Sequence, residues 1–89
     1  MPLQLLCQLE TAEPETARAA LLDDAEDQQN AGLTRLQIWT EEDAPDRLWV
    51  LFEANDRARA EAWLERARAH THGRPAAVSA SSAHFLRIT

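Results

Sequence analysis

The sequence predicts a small α+β domain in which four antiparallel strands form one sheet and two helices cover one face of it. Two observations carry this prediction. The run from Leu48 to Phe52 is apolar at every position, which is typical of a central strand that is covered on both faces. Segments with a two-residue period and segments with a helical period follow one another in the order β-α-β-β-α-β. Right-handed crossovers then place both helices on one face and the first and third strands at the centre.

The first half of the chain supplies two strands and a helix. The first strand is predicted from Leu3 to Leu9, because apolar residues alternate along it. A helix is expected to begin at Pro14, which suits a first turn, and to end before Gly32. Its weak apolar stripe consists of Ala17, Ala20, Leu21 and Ala25. The second strand is predicted from Leu33 to Thr40, and an acidic hairpin loop is predicted from Glu41 to Asp46.

The second half repeats this order after the central strand. Asn55 or Asp56 is expected to cap the second helix. The apolar stripe of that helix has the spacing of a helix packed on one side, and it consists of Ala60, Trp63, Leu64 and Ala67. Gly73 and Pro75 are expected to end it. The last strand is predicted from His84 to Thr89, and the segment from Ala76 to Ala83 has no decisive pattern.

Composition narrows the class of protein. The 89 residues suit a single domain spanning 1–89, and a domain this small benefits from a partner subunit. The net charge is −6 and all nine basic residues are arginine, which argues against a nucleic-acid partner and is typical of a GC-rich bacterial genome. Cys7 cannot form an intrachain disulfide and is expected to be a buried hydrophobe. With no signal-peptide pattern and no apolar run near the ~20 residues of a membrane span, a cytoplasmic protein is expected.

The alternation along the strands divides the sheet into two faces. The face expected beneath the helices contains Leu3, Leu5, Cys7, Leu9, Leu36, Ile38, Leu48, Val50, Phe52, Leu86 and Ile88. The opposite face is called the open face. The residues expected there to bind a ligand or a second subunit are Leu6, Arg35, Gln37, Trp39, Trp49, Leu51, Glu53, Phe85 and Arg87, with Gln4 and Gln8 beside them. Because this face holds two of the three tryptophans, a second copy of the chain is expected to cover it. A different partner and an uncovered monomer are the alternatives.

The element order and the apolar open face resemble the dimeric α+β barrel superfamily, whose members have ferredoxin-like folds. In that superfamily two sheets pack into a barrel, and a cavity between sheet and loops can hold a small molecule. The resemblance implies a homodimeric small-molecule-binding or regulatory protein. A cofactor-free monooxygenase or isomerase that uses the same cavity is one alternative, and a structural interaction module is another.

Candidate chemistry in the sequence is sparse. Arg35, Glu53 and Arg87 could line a pocket on the open face, in which arginine would bind a carboxylate, although ion pairs at the rim of a dimer interface are favoured. His70, His72 and His84 have no metal-binding spacing, so no metal and no cofactor are expected. No catalytic residue is identified, because the chain lacks both a nucleophile elbow and a glycine-rich phosphate loop.

Overall fold

Two antiparallel strands form the centre of the sheet, as the apolar run indicated. The computed structural model describes residues 3–71 and 78–89, without the side chains of residues 69–71. In chain order its elements are β1 (Leu3–Thr11), α1 (Pro14–Asp23), α2 (Ala25–Asn30), β2 (Leu33–Glu41), β3 (Ala44–Ala54), α3 (Arg57–Thr71) and β4 (Val78–Arg87). The sheet is antiparallel with the order β2-β3-β1-β4. The predicted ferredoxin-like α+β fold, with the first and third strands at the centre, is confirmed.

The hydrophobic core lies between the sheet and the helices. Leu5 on β1 pairs with Phe52 on β3, and both side chains are fully buried. Cys7 and Val50 form the next pair on the same face and are buried as well. Trp63 of α3 packs on this cluster together with Leu64 and Ala67 of the predicted stripe. Each fully buried large apolar side chain contributes about 1.5–3 kcal/mol, so this layer is the main source of stability.

The first predicted helix is divided into two, which corrects the expectation of one continuous helix. Asp24 separates α1 from α2 and has a ψ of 11°, far from the helical value, although its N–H still bonds to the Ala20 carbonyl at 3.2 Å. The carboxylate of Asp24 accepts a hydrogen bond from the Trp63 indole on α3. The break between α1 and α2 therefore lies at the residue whose side chain contacts Trp63 of α3.

The hairpin between β2 and β3 is tighter than predicted. Glu41 pairs with Ala44, which leaves only Glu42 and Asp43 in the turn instead of the loop predicted from Glu41 to Asp46. Pro45 lies within β3, but the pairing of β3 with β1 begins only at Arg47. The missing N–H of the proline therefore costs no bond to β1.

A bulge in β2 reverses the faces of two predicted residues. The register shifts so that Arg35 pairs with Phe52 while Gln37 pairs with Leu51, and Leu36 is the extra residue between them. Arg35 was predicted on the open face, but it lies on the helix face of the sheet. Leu36 was predicted beneath the helices, but it is 45% exposed. Both predictions assumed an unbroken alternation, which the extra residue interrupts.

The alternation of β4 is opposite to the prediction. Phe85 pairs with Leu5 and Arg87 pairs with Leu3, so both belong to the helix face and not to the open face. Leu86 takes a place on the open face instead, and Ile88 lies beyond the end of the strand. The reason is that Phe85 joins the core cluster, where the Arg57 guanidinium lies 4.6 Å from its ring centroid.

Some predictions fall on residues outside the described ranges. They concern the helix end at Gly73 and Pro75, the imidazole of His72, and Ala76 and Ala77. The rest of the undecided segment, from Val78 to Ala83, belongs to β4. None of the helices in the described ranges has the length and hydrophobicity needed to cross a membrane.

Candidate ligand cavity and open face

A cavity of about 520 Å³ lies between the helices and the sheet. Small and apolar side chains form most of its wall, among them Cys7, Leu9, Ala17, Ala20, Leu21, Val50, Leu64, Ala67, Val78 and Ala83. The stripe of α1 consists largely of alanine, and alanine side chains cannot fill the space above the strands. The weak apolar stripe in the sequence is thus the origin of the cavity.

Asp24 and Trp63 form a polar contact in the cavity wall. The Trp63 Nε1–H donates to Asp24 Oδ2 at 3.0 Å, and only 5% of Trp63 is exposed. The Trp63 ring also meets Phe52 edge to face, with the ring centroids 5.5 Å apart. Partial burial raises the pKa of Asp24, and the charge of Asp27 adds to this rise, whereas the hydrogen bond from Trp63 opposes it.

Cys7 forms part of the apolar wall and is not an activated nucleophile. Burial raises the pKa of its thiol to about 12, and the nearby Arg68 opposes this rise only weakly. The thiol therefore stays protonated at neutral pH, whereas a reactive cysteine needs thiolate character. This placement agrees with the buried hydrophobe expected from the sequence.

The open face carries an apolar centre. Trp39 pairs with Trp49 across β2 and β3, and Leu6 pairs with Leu51 across β1 and β3. Large side chains remain strongly exposed on or beside this centre: Leu36 at 45%, Trp39 at 44% and Leu86 at 42%. Surface of this kind is typical of an interaction site.

Charged residues border the apolar centre at one end of the sheet. The Trp49 Nε1–H donates to Glu41 Oε1 at 2.8 Å. Arg47 forms ion pairs with Glu41 at 3.7 Å and with Glu10 at 3.5 Å. An apolar centre with a charged border is typical of protein–protein interfaces.

The structure brings together only part of the predicted open-face set. Six of the nine residues expected to bind a ligand or a second subunit share this face, with Gln4 and Gln8 beside them: Leu6, Gln37, Trp39, Trp49, Leu51 and Glu53. Arg35 instead lies on the helix face, where its Nη1 donates to the buried Gln28 Oε1 at 3.1 Å. Phe85 and Arg87 also leave the open face. His84 lies there instead, opposite Leu6.

The cavity itself was not predicted from the sequence. The expected pocket was near Trp39, Trp49 and Arg35, on the other side of the sheet. Asp24 and Trp63 are 39 residues apart, and no motif links them. The signals in the sequence were the weak, alanine-rich stripe of α1 and the place of Trp63 in the apolar stripe of its helix. In the described ranges no three His, Cys, Asp or Glu side chains are grouped to hold a metal ion.

Comparison with known proteins identifies relatives in structure only. No protein-family profile matches the chain, and no curated protein has a similar sequence. A protein from Chloroflexus aurantiacus that is provisionally named an antibiotic biosynthesis monooxygenase is similar to it with a TM-score of 0.64 and 14% identity, over 100% of this chain and 96% of that one. An uncharacterised NIPSNAP domain protein from Burkholderia xenovorans has a TM-score of 0.60 and 13% identity, over 100% and 95% of the two chains.

A third similar structure is described as a dimeric ferredoxin-like protein, from an uncultured marine organism. Its TM-score is 0.53 and its identity is 12%, over 100% of this chain and 99% of that one. At such identities the likeness shows the fold alone. The chain thus has the ferredoxin-like α+β fold of these proteins, as the element order of its sequence predicted.

Proposed function

We propose that this chain is a small-molecule-binding protein that acts as a homodimer. The ligand occupies the cavity between helices and sheet, and the open faces of two subunits pack against each other. The observation that carries the proposal is the cavity of about 520 Å³. Binding sites for small organic molecules have volumes of about 300–1,000 Å³, mostly apolar walls and a few polar groups. The cavity has all three properties.

The two parts of the proposal use different faces of the sheet. The cavity is on the helix face, so a second subunit on the open face leaves it accessible. Trp39 and Leu36 then pass from water into an apolar interface, which yields about 25 cal/mol for each Å² of apolar surface covered. The marine protein of the same fold is a dimeric ferredoxin-like protein, which supports this arrangement.

The cavity is tested by filling it. We expect the neutral fluorescent probe N-phenyl-1-naphthylamine to bind the wild-type protein with increased emission. Ala20→Phe places a ring in the cavity wall and is expected to weaken probe binding at least about tenfold. Ala19→Phe adds the same ring to the exposed side of α1 and serves as the matched control. Equal binding by wild type and Ala20→Phe would place the probe elsewhere and refute the cavity as the site.

An oxygenase or isomerase that acts in the same cavity is the second candidate. Structural neighbours that are provisionally named antibiotic biosynthesis monooxygenases favour this candidate. One of them, from Nitrosomonas europaea, has a TM-score of 0.64 and 14% identity. Asp24 supplies a carboxyl group with a raised pKa beside the cavity, which suits proton transfer. Oxygen uptake by the purified chain with phenolic compounds, absent from Asp24→Asn, would select this candidate over simple binding.

A further inference from the structure

The two walls of the cavity differ in polarity, and this difference indicates the class of ligand that it binds. Its wall next to the sheet is formed mostly by apolar side chains and the protonated thiol of Cys7, with Ser81 and Ser82 of β4 beside them. This wall offers dispersion contacts and excludes charge. The body of the ligand should therefore be apolar, and a bicyclic aromatic molecule fits comfortably within about 520 Å³.

The opposite wall, at the junction of α1 and α2, offers an acceptor. Asp24 Oδ2 already receives the Trp63 Nε1–H, but a carboxylate has two oxygens and can accept about four hydrogen bonds. Desolvation is the largest cause of the raised pKa of Asp24, so partial burial removes some of the hydration of its charged form. A ligand that donates a hydrogen bond there would replace the missing hydration.

The surrounding charges decide which donor is preferred. Asp27 lines this end of the cavity together with Asp24, and its charge raises the pKa of Asp24, whereas the charge of Arg66 lowers it. Asp23 also lines this end of the cavity. Arg66 and Arg68 line the cavity from α3, are exposed to solvent, and Arg68 acts on Cys7. A positive group is therefore stabilised at the α1–α2 junction, away from Arg68.

We infer that the ligand is an apolar molecule with a protonated amine, the amine bonded to Asp24 and the apolar body against the sheet. The inference rests on the proposed function, because it assigns the ligand class of that same cavity. It also gives Asp24 a role in selecting the ligand, in addition to its contact with Trp63.

The test compares three naphthalenes with one body and different head groups. 2-Naphthylmethylamine, 2-naphthalenemethanol and 2-naphthoate are titrated at pH 7 into the full chain, in which the indole N–H resonance of Trp63 reports on binding. We expect the amine to bind about tenfold more tightly than the carboxylate, which is equivalent to about 1.4 kcal/mol. In Asp24→Asn, which keeps an acceptor for Trp63, this ratio should fall to about threefold or less.

Asp43→Asn is the control variant, because it removes the same charge from the exposed hairpin turn. It should retain the tenfold preference. If the three compounds bind equally, the amine assignment is wrong while the cavity remains a binding site. If the preference persists in Asp24→Asn, another group selects the amine and the role of Asp24 is refuted. If neither these compounds nor N-phenyl-1-naphthylamine binds, the proposed function itself fails.

Discussion

Asp24 lies between α1 and α2, and its side chain both contacts α3 and lines the cavity. It ends α1, precedes α2 and accepts the hydrogen bond from Trp63 at 3.0 Å. A hydrogen bond to a charged group typically contributes about 1.5–3 kcal/mol, but partial burial of the carboxylate offsets part of this gain. The net effect on stability can be measured as a function of pH, because burial destabilises only the charged form of Asp24.

The pH dependence of stability should change in Asp24→Asn. The pKa of Asp24 in the folded protein is raised above 3.8, so the folded state binds a proton at higher pH than the unfolded chain does. The stability from this group is complete below pH 3.8 and is lost as the pH rises through the folded-state pKa. Urea unfolding at fixed protein concentration should therefore show wild type losing stability relative to Asp24→Asn over this range. A difference that does not change with pH would contradict the assignment, and Asp43→Asn is the control.

Cys7 should react slowly in the native protein. A thiol with a pKa of about 12 is roughly a thousandfold less ionised at pH 8 than one with the usual value of 9.0. We expect modification by iodoacetamide, followed by mass spectrometry, to be at least about a hundredfold slower in the native protein than in urea. Rapid modification of the native protein would mean that the thiol is exposed or activated.

At the scale of elements, Gly32 determines how β2 leaves the preceding helix. Its φ is +75°, a left-handed conformation that side chains other than glycine disfavour. The Gly32 carbonyl accepts the Asn55 N–H at 3.0 Å, so this turn also positions the end of β3. A Cβ at this position would meet the Asn55 side chain.

Gly32→Ala should lower the free energy of unfolding by about 1–2 kcal/mol, because alanine is strained in the left-handed conformation. The double variant with Asn55→Ala removes the side-chain contact but should still be destabilised by the backbone strain at position 32. Chemical denaturation of the single and double variants and of Asn55→Ala separates the two effects. A Gly32→Ala protein as stable as wild type would show that the turn can relax.

At the scale of the whole molecule, self-association should follow from the open face. Light scattering should give about twice the 10.0 kDa subunit mass, and the thermal midpoint should rise with protein concentration. Trp39→Glu and Trp49→Glu place a charge in the apolar centre and should yield the subunit mass. Leu22→Glu changes an exposed leucine of α1 and is the matched control. A wild-type protein of subunit mass at all concentrations would refute the dimer.

The order of strands and helical regions, the central strands and most of the core can be predicted from the amino-acid sequence. These depend on local patterns: Leu48 to Phe52 is apolar throughout, and Trp63, Leu64 and Ala67 have helical spacing. The pattern of β1 also predicted correctly that Leu5 and Cys7 lie beneath the helices. Local patterns suffice here because burial of these residues outweighs any alternative placement.

The faces of β2 and β4 and the position of the cavity, in contrast, emerge only when the elements pack together. An alternation predicts faces only as far as the ladder is regular, and the extra residue Leu36 moved Arg35 to the helix side. Residues 85–87 of β4 suited either face, and the space beside Leu5 selected Phe85. The position of the cavity depends on how the side chains of three helices and a sheet pack together. The sequence around Ala20 and Asp24 therefore does not indicate it.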